Sequence, residues 1–156
     1  MFCQLDQVKQ ILDTAAAVKN VLGEEQTGEG VFARKACSML YGLLLMKDYD
    51  VFIQGGTIHL QDQEYPHQWI EMYLDGVPFI LDICLGTVAG LIKDNQEDIY
   101  FLPEEDAVME YGYQVHQEYP WLKGDCQPET WQRVIERLKL PTTVEQLLEE
   151  IEENSI

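Results

Sequence analysis

Basic side chains are scarce in this chain. Ten Lys and Arg stand against 28 Asp and Glu, a formal net charge of −18. Such a surface repels phosphate backbones and anionic lipid headgroups, so no direct contact with nucleic acid or a membrane is expected. The charge suits a basic partner, although a solvated surface that aids solubility explains it more simply. Long apolar runs are also missing. The run Leu43 to Met46 lies inside an amphipathic stretch, and nothing approaches the length of a membrane span. The first residues show no basic segment leading into an apolar one, so no signal peptide is expected. The four cysteines, at positions 3, 37, 84 and 126, are widely scattered and include no CxxC pair. That spacing argues against a disulfide-stapled secreted module and for reduced thiols in the cytoplasm. Gly55-Gly56 lacks the context of a phosphate loop and reads as a turn.

What is present suits one domain over residues 1–156. The chain is 46% hydrophobic, enough to bury a core without disulfides. Leu5, Val8, Ile11, Leu12, Ala15 and Leu22 recur at helical spacing and predict a helix over 4–22, stopped by Gly23. The segment 24–30 reads as a polar, Gly-rich loop, and a second helix is expected over 35–47. The period then changes. Val51-Phe52-Ile53 predicts a strand ending at a Gln54-Gly55-Gly56 turn, with Thr57–Leu60 returning. Alternation from His67 to Leu74, the Asp75-Gly76 dipeptide and the run Val77–Cys84 predict a two-residue hairpin. Ile99–Leu102 and Met109–Val115 are expected as strands, the second with Tyr111 and Tyr113 on one face. The C-terminus reads as two helices. Pro128 sits in the first turn of one, and a Thr142/Glu145 capping box opens the other. Glu149, Glu150, Glu152 and Glu153 read as a solvated helix face. The class is α+β, with the Cys37 helix packed on an antiparallel sheet between N- and C-terminal helices.

Three residues form an ordered set with chemical meaning. A thiol becomes a nucleophile only on losing its proton, a histidine can take that proton, and a third group must fix the imidazole tautomer. Cys37 is expected near a helix start, where the dipole favours a thiolate. His67 is expected to open the first strand of the hairpin, and Asp82 lies on its partner strand. A two-residue Asp75-Gly76 loop pairs Leu74 with Val77. It then sets Asp82 opposite Trp69, diagonal to His67 and on the same face. Asp82 is framed by apolar residues, and a buried carboxylate needs a partner. Gln54 and the Cys37 backbone amide are candidate oxyanion donors, and Trp69 is a candidate wall of the site.

The segment His67-Gln-Trp-Ile-Glu-Met-Tyr-Leu-Asp-Gly-Val-Pro-Phe-Ile-Leu-Asp82 resembles the transglutaminase-like superfamily, in which His-x-Trp-x-Glu leads through a hairpin to Asp. The likeness covers about residues 30–84. It implies a papain-like core with Cys37 as nucleophile, His67 as general base and Asp82 as its orienter. It also implies a cysteine hydrolase or acyltransferase that opens an amide through a thioester intermediate, most simply a peptidase or amidase. The likeness further implies that no cofactor or metal is required and that the substrate is a peptide or protein. Ile83 stands where that family often has Pro, and Lys35-Ala36-Cys37-Ser38 replaces its usual Gly-x-Cys-Trp. Asp82-Ile-Cys-Leu-Gly86 is similar to the Asp-bearing strand of arylamine N-acetyltransferases, a likeness that implies acyl transfer from a thioester donor as an alternative function, although the Arg- and Gly-rich signature around their cysteine is absent. Two other readings stay open. One is a module that keeps the fold and has lost turnover, in which Cys37 is an inert small hydrophobe. The other is a zinc site of Cys37, His67, Asp82 and Cys84, unsupported by any paired ligand spacing.

Overall fold

The computed structural model describes residues 2–25, 29–85 and 99–155, leaving aside the side chains at 2–4 and 29–31. The remainder of the expected 24–30 loop, Cys3's side chain and Gly86 lie outside the described residues. The element order is α1 (Phe2–Gly23), α2 (Glu29–Leu45), β1 (Val51–Leu60), β2 (Gln63–Leu74), β3 (Val77–Asp82) and β4 (Tyr100–Pro103), then α3 (Glu104–Tyr111), β5 (Gln114–Tyr119), α4 (Pro128–Leu138) and α5 (Val144–Asn154). The strands form one antiparallel sheet in the order β4-β3-β2-β1-β5. Among the described residues no helix is long and apolar enough to cross a membrane.

Strand alternation divides the sheet into two faces. Val51, Ile53, Ile70, Met72, Leu74 and Leu81 point to the helices and join one core with Ile11 and Val18 of α1, Leu40 and Leu44 of α2, Trp131 and Val134 of α4, and Leu147 and Ile151 of α5. Each such fully buried aliphatic side chain contributes roughly 1.5–3 kcal/mol, so this layer holds the helices on the sheet. The other face is smaller. Ile58, Leu60, Trp69 and Ile80 pack there with Ala107 of α3 and with Tyr113. The expected register is present, with Leu74 opposite Val77 and Ile70 opposite Leu81. The Asp75-Gly76 turn has φ of 51° and 79°, the paired left-handed conformation that tightens a two-residue hairpin.

Several boundaries differ from the sequence reading. Gln54-Gly55-Gly56 is not a turn but the middle of a ten-residue strand, and the chain reverses at Gln61-Asp62, both with positive φ. The glycines serve a close approach. A Cβ on Gly55 would lie 2.1 Å from the Tyr119 ring, and one on Gly56 would lie 1.8 Å from the Gln114 carbonyl oxygen. The β1–β5 register also shifts at this point, as a bulge does where two backbones crowd. Gly56→Ala is therefore expected to break the β1–β5 pairing and to destabilise by about 1–3 kcal/mol or more. Urea unfolding, with amide exchange of β5 as a local readout, checks this.

The expected strand 109–115 is instead the end of α3, a left-handed Gly112 cap and the start of β5. The cap of α5 is Thr143, whose hydroxyl accepts from the Gln146 amide at 3.2 Å, one residue later than the expected box. The second helix starts at Glu29, six residues before the expected position.

Candidate active site

His67 lies inside β2 rather than at its start, paired across the ladder with Gly56 of β1. Asp82 ends β3. Their side chains meet diagonally, as the register requires, and Nε2 of His67 lies 2.6 Å from Oδ2 of Asp82. The carboxylate is 1% exposed and the histidine 8%. Two further donors complete it. The Tyr113 hydroxyl donates to the same Oδ2 at 2.7 Å, and the Cys84 amide donates to Oδ1 at 2.8 Å. Burial by itself pushes the Asp82 carboxyl up. Interaction with His67 by charge and hydrogen bond, then the Tyr113 and Cys84 donors, reverse this and hold it below the ordinary carboxylate range. In a neutral imidazole, an ionised Asp82 takes the proton on Nε2 of His67 as its donor and leaves the lone pair on Nδ1. Nδ1 has no hydrogen-bond partner among the described residues.

Trp69 flanks the imidazole, with ring centroids 6.2 Å apart and planes inclined by 26°. Tyr113 meets Trp69 edge-on at 4.9 Å. Gln54 is directly opposite Trp69 on β1 and therefore shares the face. Gln54 Oε1 and Trp69 Nε1 are both buried without a hydrogen-bond partner among the described residues. Glu71, on the same face, is half-buried; burial first and the Glu104 carboxylate second push its carboxyl above the usual range.

Cys37 is placed differently from the expectation. It lies eight residues after Glu29, about two turns into α2 at 3.6 residues per turn. The dipole acts only within the first turn, so it does not favour a thiolate there. At that depth its backbone amide belongs to the helix ladder, which removes it as an oxyanion donor. The side chain is 3% exposed and belongs to the helix-side core together with Cys84. Burial pushes its thiol well above the ordinary range. The Asp82 charge pushes it further, and Arg34 offsets only part of this. Among the described residues no hydrogen bond joins Cys37 to His67. The structure thus brings His67 and Asp82 together, while Cys37 makes no hydrogen bond to His67 but lies near enough for the Asp82 charge to act on it.

Among the described residues no group of three or more His, Cys, Asp or Glu is placed to hold a metal ion. The zinc grouping therefore has no ligand set here. Sequence reasoning missed Tyr113, which it took for a strand aromatic. The two-residue spacing of Tyr111 and Tyr113 looked like strand alternation, and only the Gly between them marked the helix end. No family model matches the chain, and no curated protein or solved structure does.

Proposed function

We propose that this chain is a transglutaminase-like cysteine hydrolase or acyltransferase that opens an amide bond of a peptide or protein through a thioester on Cys37. The observation that carries the reading is the buried His67–Asp82 pair, with Nε2 held by a carboxylate and Nδ1 without a partner among the described residues. That is the arrangement a general base needs. Because the Cys37 thiol is pushed well up, the chemistry would use no resting thiolate. His67 Nδ1 would take the thiol proton as sulfur attacks the amide carbonyl. The same proton would then pass to the departing amine, and water or a second nucleophile would release the acyl group from sulfur. This route needs the thiol to reach Nδ1; Asp82, which bonds His67, lies near enough for its charge to bear on Cys37.

A second reading rests on Cys37 itself. Its depth in α2, its burial in the apolar core and its lack of a bond to His67 fit a binding module that keeps the fold without turnover. A thiol-directed iodoacetamide probe, followed by peptide mapping, separates the two. If Cys37 is the nucleophile, it labels faster than Cys84 and Cys126 at neutral pH, and His67→Ala removes that advantage by about a hundredfold. If all three label equally, and only as the chain unfolds, the module is left and the enzyme is lost.

A further inference from the structure

We propose that Tyr113 is a positioning residue of this site: by donating to the same Asp82 oxygen that binds His67, it keeps the imidazole in the form with its proton on Nε2 and its lone pair on Nδ1. The inference deepens the acyl-transfer reading and rests on it for its catalytic meaning. The geometric part stands on contacts already described.

A carboxylate at the end of a strand can turn about its last side-chain bond. The Cys84 amide fixes Oδ1 at 2.8 Å, but one bond does not set the plane. The Tyr113 hydroxyl, 2.7 Å from Oδ2, is the second anchor. With both in place, Oδ2 can only present its remaining lone pair along the line to Nε2, 2.6 Å away. The tyrosine remains a donor, because burial and the neighbouring Asp82 charge push its hydroxyl well above the ordinary range. Its ring adds a second constraint. Packed edge-on against Trp69, it holds the indole that flanks His67. One residue therefore fixes both the partner of the imidazole and its neighbouring wall.

The position of Tyr113 depends on the turn before it. Gly112 caps α3 with φ of 62°, and a Cβ there would lie 2.8 Å from the Cβ of His59. Only glycine combines that conformation with that contact. The α3–β5 corner thus acts on the His–Asp pair through Tyr113, although α3 itself supplies no residue to it.

Tyr113→Phe keeps the ring and removes the donor. The test is nitrogen-15 NMR of the His67 ring in the full chain, with exchange of the Nε2 proton. The wild type is expected to show the Nε2-protonated form and a slowly exchanging ring proton. In Tyr113→Phe that proton should exchange up to about tenfold faster, the change that loss of one hydrogen bond produces. The two ring nitrogens should also move toward a mixture of forms. Because Asp82 loses a donor, acid unfolding should begin at higher pH than in the wild type. Gly112→Ala, which shifts the ring without removing the hydroxyl, should give the same spectral change more strongly. Ring shifts and exchange identical to the wild type in Tyr113→Phe would overturn the proposal, even if the protein proves to be an enzyme. Altered ring behaviour in a protein that forms no adduct on Cys37 would leave Tyr113 in this role and remove the enzyme instead.

Discussion

Cys37→Ser is expected to abolish formation of a covalent acyl adduct while the protein still folds. Incubated with an electrophilic amide analogue, the wild type should gain the mass of one acyl group on the peptide containing Cys37. The serine variant should react at least about a thousandfold more slowly, the order of loss seen when a nucleophile is removed. The chemical reason is that a hydroxyl is a far weaker nucleophile than a thiol assisted by a base. A serine hydroxyl in an apolar core also costs stability, about 1–3 kcal/mol, and urea unfolding measures that part separately. Cys84→Ser is the control. Cys84 is as buried as Cys37, and burial followed by the Asp82 charge pushes its thiol up as well. An adduct that maps to Cys84, or that survives in Cys37→Ser, would end the assignment of the nucleophile.

Asp82 is expected to give the largest combined effect on stability and turnover. Asp82→Ala leaves three buried donors without their acceptor: Nε2 of His67, the Tyr113 hydroxyl and the Cys84 amide. Removing one member of a buried pair costs about 3–5 kcal/mol, and a loss of unfolding free energy of that size, measured in urea, is the expected result. Asp82→Asn keeps the shape. The asparagine oxygen can still accept from Tyr113 or Cys84, but an amide nitrogen facing Nε2 forces the imidazole proton onto Nδ1. The base then has its lone pair on the wrong side. Turnover should fall by about four orders of magnitude while the fold survives. The pH dependence supplies a separate reading. Asp82 sits below its unfolded value in the folded state. Its contribution is therefore complete above the unfolded carboxylate value and is lost as pH falls through the folded one. In Asp82→Asn that part of the acid limb should vanish. An acid limb unchanged in Asp82→Asn would show that the carboxylate is not held as described.

The sequence by itself determined the class, the N- and C-terminal helices and the hairpin that carries His67 and Asp82. These follow from local rules. Helical spacing of apolar residues set α1, α4 and the stripe of α5, and Asp75-Gly76 fixed a two-residue turn. The turn then fixed the register, which placed Asp82 diagonal to His67 on one face. The need of a buried carboxylate for partners was legible too, because apolar residues frame Asp82 on both sides.

Other features were decided only by tertiary structure, each for an identifiable reason. Gly55-Gly56 has the composition of a turn, but the Tyr119 ring and the Gln114 carbonyl need that bare backbone inside a strand. Gln61-Asp62 lacks the glycine that marks most two-residue hairpin turns, yet it adopts the positive φ values that close the real hairpin. Tyr113 reaches Asp82 from 31 residues away, a distance over which no local pattern carries information. The depth of Cys37 had the same origin. Helix α2 gains length toward its N-terminus and buries Cys37 among side chains from distant parts of the chain. A cysteine at helical spacing reads the same whether it faces a base or a core. Its surroundings are set by packing between elements, and the order of residues along one of them does not record that.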